Sequence, residues 1–211
     1  MVNHRNHGLS SRAMGRYEVE GAADDVAGVL DAIGVSATDV VGYSMGGVVA
    51  QALVLRHPGR VSHLVLIATF ASHSEAARWA RRVGTVFTRG WERLTGVGTP
   101  EVRWGYLLGS GAVSPKHSRS FWQANHRREP DSGAEATFAL LRFDSRSWVG
   151  RLGLETMVVI PTRDWLVPIR WQYELATLIP DVRLVEIAGA RHEVVYTHPD
   201  RIVDELESFL K

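Results

Sequence analysis

The sequence predicts an α/β fold built on a mostly parallel sheet and interrupted by a helical insertion. At both ends of the chain, short apolar runs alternate with helix-like segments, and strand–helix–strand order with short joints is typical of a parallel sheet. Between these ends, residues 71–150 contain no strand-like run. We therefore predict a core formed by residues 1–70 and 151–211, with residues 71–150 as a helical cap over the sheet.

The first part of the predicted core alternates between helix and strand. Residues 17–35 carry four apolar residues at helical spacing, and Gly34 is placed to cap the end of that helix. The four are Val26, Val29, Leu30 and Ile33. The run DVVGYS then predicts a buried strand, and MGGVVAQALVLR predicts a helix that ends before Pro58 and Gly59. Residues 61–70 predict the next strand.

The predicted cap differs from the core in composition. Four of the seven tryptophans fall in its first part, namely Trp79, Trp91, Trp104 and Trp122. An apolar residue recurs at every fourth position with arginines between, which predicts an amphipathic helix weakened by Gly84 and Gly90. The recurring residues are Trp79, Val83, Phe87 and Trp91. The stretch HRREPDSGAE, residues 126–135, predicts a loop.

After residue 150 the chain returns to alternating elements. The runs ETMVVIP and VRLVEIAG predict strands, and IRWQYELATLIP and PDRIVDELESFLK predict helices. Pro199 suits the first turn of the last helix, with Thr197 or His198 near its cap.

Composition narrows the class of protein. The 24 lysines and arginines nearly balance the 23 aspartates and glutamates, so the net charge of +1 does not indicate a nucleic-acid partner. The absence of cysteine excludes disulfides and thiolate metal sites. The first residues form no apolar signal sequence, and no run is long enough to span a membrane. We expect a soluble, cytoplasmic protein.

Ser44 stands between two glycines where a predicted strand meets a predicted helix. Gly42 and Gly46 lie two positions before and after it, in the pattern G-x-S-x-G. A sharp strand-to-helix turn can project its side chain above the sheet if no bulky side chain at either glycine position collides with the backbone. We therefore predict Ser44 as a nucleophile, with the backbone N–H of Met45 facing a developing oxyanion.

Two other interpretations of Ser44 stay open from this motif alone. The residue could occupy an ordinary glycine-rich turn, or it could bind a phosphate. The phosphate patterns G-x-G-x-x-G and G-x-x-x-x-G-K-S/T are both absent, and the strand–turn–helix context favours the nucleophile.

A serine nucleophile needs a base that is held by an acid, and in this type of fold the chain order is Ser, acid, His. Asp164 follows one predicted strand and His192 follows the next, at the same sheet edge as Ser44. Asp144 is the rival acid, but it precedes a strand. His198 is the rival base, but it sits at a helix start.

Other chemistries fit the sequence less well. The run HEVVY begins like the zinc motif H-E-x-x-H, but Tyr196 stands where the second histidine must be. The arginine- and tryptophan-rich residues 78–93 could meet nucleic acid or an anionic membrane surface, although a solvated cap helix explains them as well. We predict no metal, no cofactor, no nucleic acid and no integral membrane segment.

These stretches resemble the α/β-hydrolase fold family, of the serine esterase and lipase type. The matching stretches are GYSMGG, PTRDWLVP, AGARHEVV and HPDRIVDELESFL, and the resemblance covers nearly the whole chain. It implies a nucleophile elbow at Ser44, an acid at Asp164 in a D-x-x-V-P setting, and a base at His192 in a G-x-x-H loop. A serine at the nucleophile position speaks against the dehalogenase and epoxide-hydrolase branches.

The resemblance implies cleavage of a carboxylic ester or related acyl bond through an acyl-enzyme. The partner would be a small, apolar acyl substrate, with Leu166, Val167 and aromatic cap residues lining its pocket. Lactonase, thioesterase and perhydrolase chemistry can use the same three residues, and the sequence leaves these open.

The N-terminus departs from the family pattern. Family members carry D-x-R-G-x-G-x-S, and residues 3–10 match it only at Arg5, Gly8 and Ser10. In the family, earlier strands and an H-G loop that completes the oxyanion hole precede this stretch. We expect either a shortened form of a longer enzyme or a divergent member with weak or no activity that binds a ligand or partner. An exposed sheet edge would then favour marginal stability or self-association.

Overall fold

The computed structural model describes residue 10, residues 16–95 and residues 130–211. The expectations for residues 3–9, Trp104 and Trp122 lie outside the described residues, and so does the side chain of Trp91.

In the described residues, four strands form one sheet, in which they lie side by side in chain order and run parallel. They are β1 (Thr38–Tyr43), β2 (Val61–Ile67), β3 (Thr156–Pro161) and β4 (Arg183–Ile187). The ends of β1 and β2 are level, since Tyr43 pairs with Ile67, and so are those of β3 and β4, since Pro161 pairs with Ile187. Ile67 pairs with Val159, two residues before the end of β3. The parallel sheet is confirmed, and its carboxyl ends meet at one edge.

Seven α-helices and one short 3-10 helix accompany the sheet in the described residues. They are α1 (Val19–Ala32), α2 (Met45–Arg56), α3 (Glu75–Thr95), α4 (Pro130–Arg142), the 3-10 helix Val149–Arg151, α5 (Ile169–Leu178), α6 (Val194–Thr197) and α7 (Pro199–Phe209). The joint between β1 and α2 is short, and so are the joints that connect β3, α5 and β4, as the sequence predicted.

The central strands β2 and β3 are largely buried on both faces. Successive strand residues point to opposite sides, so each face packs in its own cluster. Leu64 and Leu66 of β2 pack in a core cluster with residues of α1, α2 and α5. Val65 and Ile67 pack in a second cluster with residues of α6 and α7. Because helices cover both faces, the central strands carry apolar residues on both sides.

Helix α1 forms as predicted, and two of its four spaced apolar residues face the core: Leu30 is buried and Val26 packs against the core cluster. Val29 and Ile33 are exposed, whereas alanines are buried. These alanines are Ala22, Ala23 and Ala27. Their small side chains suit the close contact of α1 with α2. Gly34 ends the helix as predicted, with a φ of 70°.

The described part of the insertion between β2 and β3 contains the helices α3 and α4 and the 3-10 helix. The predicted loop over residues 126–135 is wrong from Pro130 onward, because α4 begins there; proline suits the first position of a helix. Helix α3 forms as predicted, but Trp79, Val83 and Phe87 on its apolar stripe are exposed. The boundaries of the cap stay a prediction. No described helix combines the length and apolar character that membrane crossing requires.

Candidate active site

Ser44 occupies a strained turn between β1 and α2. Its φ of 53° and ψ of −117° are unfavourable for a residue with a Cβ atom, and neighbouring groups must hold it there. The Ser44 N–H donates to the carbonyl of Ile67 at 2.9 Å. The Ser44 carbonyl accepts from the hydroxyl of Thr69 at 2.8 Å and from the N–H of Gly47 at 3.0 Å. The turn is therefore fixed from both sides.

The crowding around this turn falls on Gly42 and Gly47. A Cβ atom on Gly42 would lie 2.6 Å from Cα of Gly47 and 2.7 Å from the carbonyl oxygen of Gly46, both backbone atoms. A Cβ atom on Gly47 would lie 2.6 Å from the side chain of Thr69. A Cβ atom on Gly46 would meet no described atom within 4 Å. The steric reason predicted for Gly46 is therefore wrong, and Gly47 is the second crowded position.

The side chains of Ser44, His192 and Asp164 form one chain of hydrogen bonds. His192 Nε2 lies 2.9 Å from Ser44 Oγ, and His192 Nδ1 lies 2.8 Å from Asp164 Oδ2. A carboxylate oxygen accepts, so Nδ1–H donates to Asp164 and Nε2 is left to accept the Ser44 hydroxyl proton. Both the His192 and Asp164 side chains are buried, while Ser44 is half-buried. The three residues singled out in the sequence meet at the carboxyl edge of the sheet.

The loop after β3 holds Asp164 through its own backbone. Asp164 Oδ1 accepts from the N–H groups of Leu166 and Val167, both at 2.9 Å. Asp164 Oδ2 also accepts from Nε2 of Gln172 on α5 at 3.0 Å. Sequence reasoning missed Gln172; the one signal was a polar residue on the helix face that also carries Trp171 and Leu175.

Tyr43, the residue before Ser44, holds the loop that carries His192. Its hydroxyl donates to the carbonyl of His192 at 2.7 Å, and the two rings lie 5.3 Å apart. Burial, followed by the negative charge of Asp164, raises the pKa of Tyr43 well above its usual value. The phenol therefore stays protonated and keeps its donor role near neutral pH.

The rival residues are engaged elsewhere. Asp144 accepts three hydrogen bonds from Arg146 side-chain nitrogens and one from its backbone N–H. The Arg146 guanidinium lowers the pKa of Asp144. His198 is the residue before α7, and its Nδ1 lies 2.8 Å from the hydroxyl of Thr197.

Met45 begins α2 directly after Ser44. Its N–H therefore has no carbonyl one turn earlier in the helix to bond, and the helix dipole adds positive potential there. Such a group is suited to an anion beside Ser44. Leu166 is half-buried and Val167 packs in the core, and the acyl pocket predicted around them stays a prediction.

A buried histidine, His73, packs between Phe70 and the first turn of α5. The His73 ring lies 4.1 Å from Phe70 and 4.9 Å from Trp171. Burial, followed by the positive charge of Arg81 on α3, lowers the pKa of His73 to about 4. Arg81 also donates to the carbonyl of Leu166 at 2.6 Å. The described part of the chain contains no cluster of histidine and carboxylate residues that could hold a metal ion.

The comparisons with known proteins agree with this fold. A family model for the alpha/beta hydrolase fold matches residues 1–199. The chain is 29% identical to pimeloyl-[acyl-carrier protein] methyl ester esterase of Chromobacterium violaceum, over 100% of this chain and 83% of that protein. It is 28% identical to 3-oxoadipate enol-lactonase 2 of Acinetobacter baylyi, over 76% of this chain and 59% of that protein.

A solved structure agrees with the observed architecture. The thermophilic esterase from Thermogutta terrifontis superposes with a TM-score of 0.82 and 26% identity, over 98% of this chain and 77% of that chain. Together with the match of the family model over nearly the whole chain, this shows that the protein belongs to the alpha/beta hydrolase fold family, and its relatives are hydrolases.

Proposed function

We propose that the protein is a serine hydrolase that cleaves a carboxylic ester or a related acyl bond. The observation that carries this proposal is the chain of hydrogen bonds from Ser44 to His192 at 2.9 Å and from His192 to Asp164 at 2.8 Å. A serine hydroxyl is a weak nucleophile, and an imidazole within hydrogen-bond reach, itself oriented by a carboxylate, is the arrangement that activates it.

In the first half-reaction, Ser44 Oγ attacks the carbonyl carbon of the substrate while His192 Nε2 takes the hydroxyl proton. The carbonyl oxygen becomes an oxyanion, which the N–H of Met45 and the positive end of α2 stabilise. As the tetrahedral intermediate collapses, His192 returns the proton to the leaving alcohol. The products of this step are the free alcohol and an ester between the acyl group and Ser44.

In the second half-reaction, water takes the place of the alcohol. His192 removes a proton from the water as its oxygen attacks the acyl carbon, and then delivers that proton to Ser44 Oγ as the acid leaves. Asp164 accepts from His192 Nδ1–H throughout, keeps the imidazole in the required tautomer and stabilises its cation. The enzyme is restored, and one ester bond is replaced by an acid and an alcohol.

The names of two relatives support this substrate class. One is a methyl ester esterase and another is an enol-lactonase, and both names describe an acyl–oxygen bond, open in the first and cyclic in the second. We infer an apolar acyl group for this chain, bound beside Leu166 under the cap.

The test is hydrolysis of p-nitrophenyl acetate, p-nitrophenyl butyrate and a simple lactone by the wild-type protein, Ser44→Ala and Ser72→Ala. Ser72 is a matched control because it is a buried serine at the same sheet edge whose hydroxyl donates to the His73 carbonyl instead of to an imidazole. We expect Ser44→Ala to lower turnover by about 10³-fold or more, and Ser72→Ala to retain activity. A folded wild-type protein with no turnover of any ester, lactone or thioester would support a non-catalytic binding protein instead.

A further inference from the structure

Gln172 is a polar side chain on the buried face of α5. It is 0% exposed and lies between the buried residues Trp171 and Leu175. Buried amides need hydrogen-bond partners for both their oxygen and their nitrogen. The partners of Gln172 therefore indicate why an amide stands at this position.

The nitrogen of this amide has two acceptors. Nε2 donates to Asp164 Oδ2 at 3.0 Å and to the carbonyl of Val167 at 2.8 Å. Both partners accept only, so the orientation of the amide is fixed by chemistry. Asp164 Oδ2 is the same oxygen that accepts from His192 Nδ1 at 2.8 Å. The amide thus touches the carboxylate at the atom that faces the imidazole.

The oxygen of the amide differs from the nitrogen in its hydrogen bonding. Gln172 Oε1 is buried and has no hydrogen-bond partner among the described residues. An unsatisfied buried acceptor destabilises the folded state, and an apolar side chain of similar size would avoid that loss. Packing alone therefore does not explain a glutamine here.

The Asp164 carboxylate gives a reason for a glutamine at this position, because one torsion sets the plane of that carboxylate. The bond between Cβ and the carboxyl carbon is soft. The N–H groups of Leu166 and Val167 hold Oδ1, and among the described residues the second oxygen is held by His192 and Gln172. We propose that Gln172 is a positioning residue for the proposed Ser44–His192–Asp164 triad: its amide keeps Asp164 Oδ2 in line with His192 Nδ1. This inference rests on the proposed function.

The experiment compares Gln172→Met with Gln51→Met. Methionine matches glutamine in length but cannot donate to a carboxylate. Gln51 is also 0% exposed, and its Nε2 donates to two backbone carbonyls, those of Gly47 and Phe70, so its substitution removes an equivalent buried amide without touching Asp164. Gln172→Leu provides a second donor-free side chain. Urea unfolding of all variants identifies those that are folded.

The first readout is the low-field proton resonance of His192 Nδ1–H, assigned by its loss in His192→Asn; it requires no substrate. The charged and titratable groups around Tyr43, which are Asp164, Glu193 and Tyr196, are the same in every Gln172 and Gln51 variant. We expect the resonance to move upfield and to exchange faster with water in Gln172→Met and Gln172→Leu, and to be unchanged in Gln51→Met. The second readout is ester turnover, in which kcat should fall about tenfold or more while KM changes little.

The outcomes separate this inference from the proposed function. A changed resonance in the Gln172 variants without ester turnover by any protein would keep the positioning role and reject the hydrolase. An unchanged resonance and unchanged kcat in folded Gln172→Met would reject the positioning role alone. The absence of a low-field resonance in the wild-type protein would overturn the hydrogen bond on which both depend.

Discussion

The carboxyl edge of the sheet and helix α3 differ in how firmly neighbouring elements hold their side chains. At the sheet edge, Asp164 accepts four hydrogen bonds from backbone and side-chain donors in three segments of the chain. On α3, Trp79 is 71% exposed and Phe87 is 69% exposed. The first region fixes the position of atoms, whereas the second presents apolar surface.

This difference in how firmly side chains are held indicates a different role for each region in the proposed enzyme. Bond-breaking chemistry needs groups held within a fraction of an ångström, and the sheet edge provides them. Contact with a variable acyl group needs apolar surface, and the cap helix carries it. We therefore expect substitutions at the sheet edge to change the rate of reaction, and substitutions on α3 to change stability or substrate binding modestly.

The largest expected effect is at Asp164. In Asp164→Asn, an amide N–H faces His192 Nδ1 and forces the wrong imidazole tautomer, so kcat for ester hydrolysis should fall by about 10⁴-fold. Asp144→Asn is the matched control, because Asp144 pairs with Arg146. Equal losses in the two variants would contradict the assignment of the acid.

A large effect on folding is expected at the turn itself. Gly42→Ala places a Cβ atom against the backbone of Gly46 and Gly47, so the free energy of unfolding should fall by about 2 to 3 kcal/mol. The Cβ atom of Gly46→Ala would meet no described atom within 4 Å, and alanine favours a helix more than glycine does. The free energy of unfolding should therefore be unchanged or rise by up to about 1 kcal/mol. Urea unfolding compares them, and a Gly46→Ala loss as large as that of Gly42→Ala would refute the crowding described above.

A pH-dependent effect is expected at His73, where the two regions meet. Its folded pKa of about 4 lies below the unfolded value of 6.5. As the pH falls from 6.5 to 4, the unfolded state therefore binds a proton that the folded state does not, and stability decreases. His73→Phe removes this titrating group. Between pH 6.5 and 4 its free energy of unfolding should therefore fall by about 2 to 3 kcal/mol less than that of the wild-type protein. Above pH 7 the two curves should be parallel; a wild-type protein that loses no more stability than His73→Phe would contradict the burial of a neutral ring.

The smallest effect is expected where α3 touches the acid loop. Arg81 donates to the Leu166 carbonyl and lies 5.8 Å from the Trp171 ring. Arg81→Met should lower the free energy of unfolding by about 1 kcal/mol, because it removes one hydrogen bond and one cation–π contact. Arg82→Met, which changes an exposed arginine on the same helix, should have no measurable effect. An equal effect at Arg82 would show that the loss comes from α3 itself rather than from its contact with the loop.

The sequence predicted the sheet and the three candidate residues because each is specified locally. Ser44 is marked by its glycines, and Asp164 and His192 by their positions after strands. Gln172 and Gly47 were missed because their importance depends on distant contacts, with Asp164 and with Thr69 respectively. The burial of Ala22, Ala23 and Ala27 on α1 was missed as well, because it depends on the contact of α1 with α2.

The most direct test of the central claim is covalent labelling of the folded protein with a fluorophosphonate, followed by mass spectrometry of its peptides. We predict one adduct per chain, located on Ser44, with labelling abolished in Ser44→Ala and slowed strongly in His192→Asn. An adduct on another serine, or equal labelling in the folded His192→Asn protein, would contradict the claim that His192 activates Ser44.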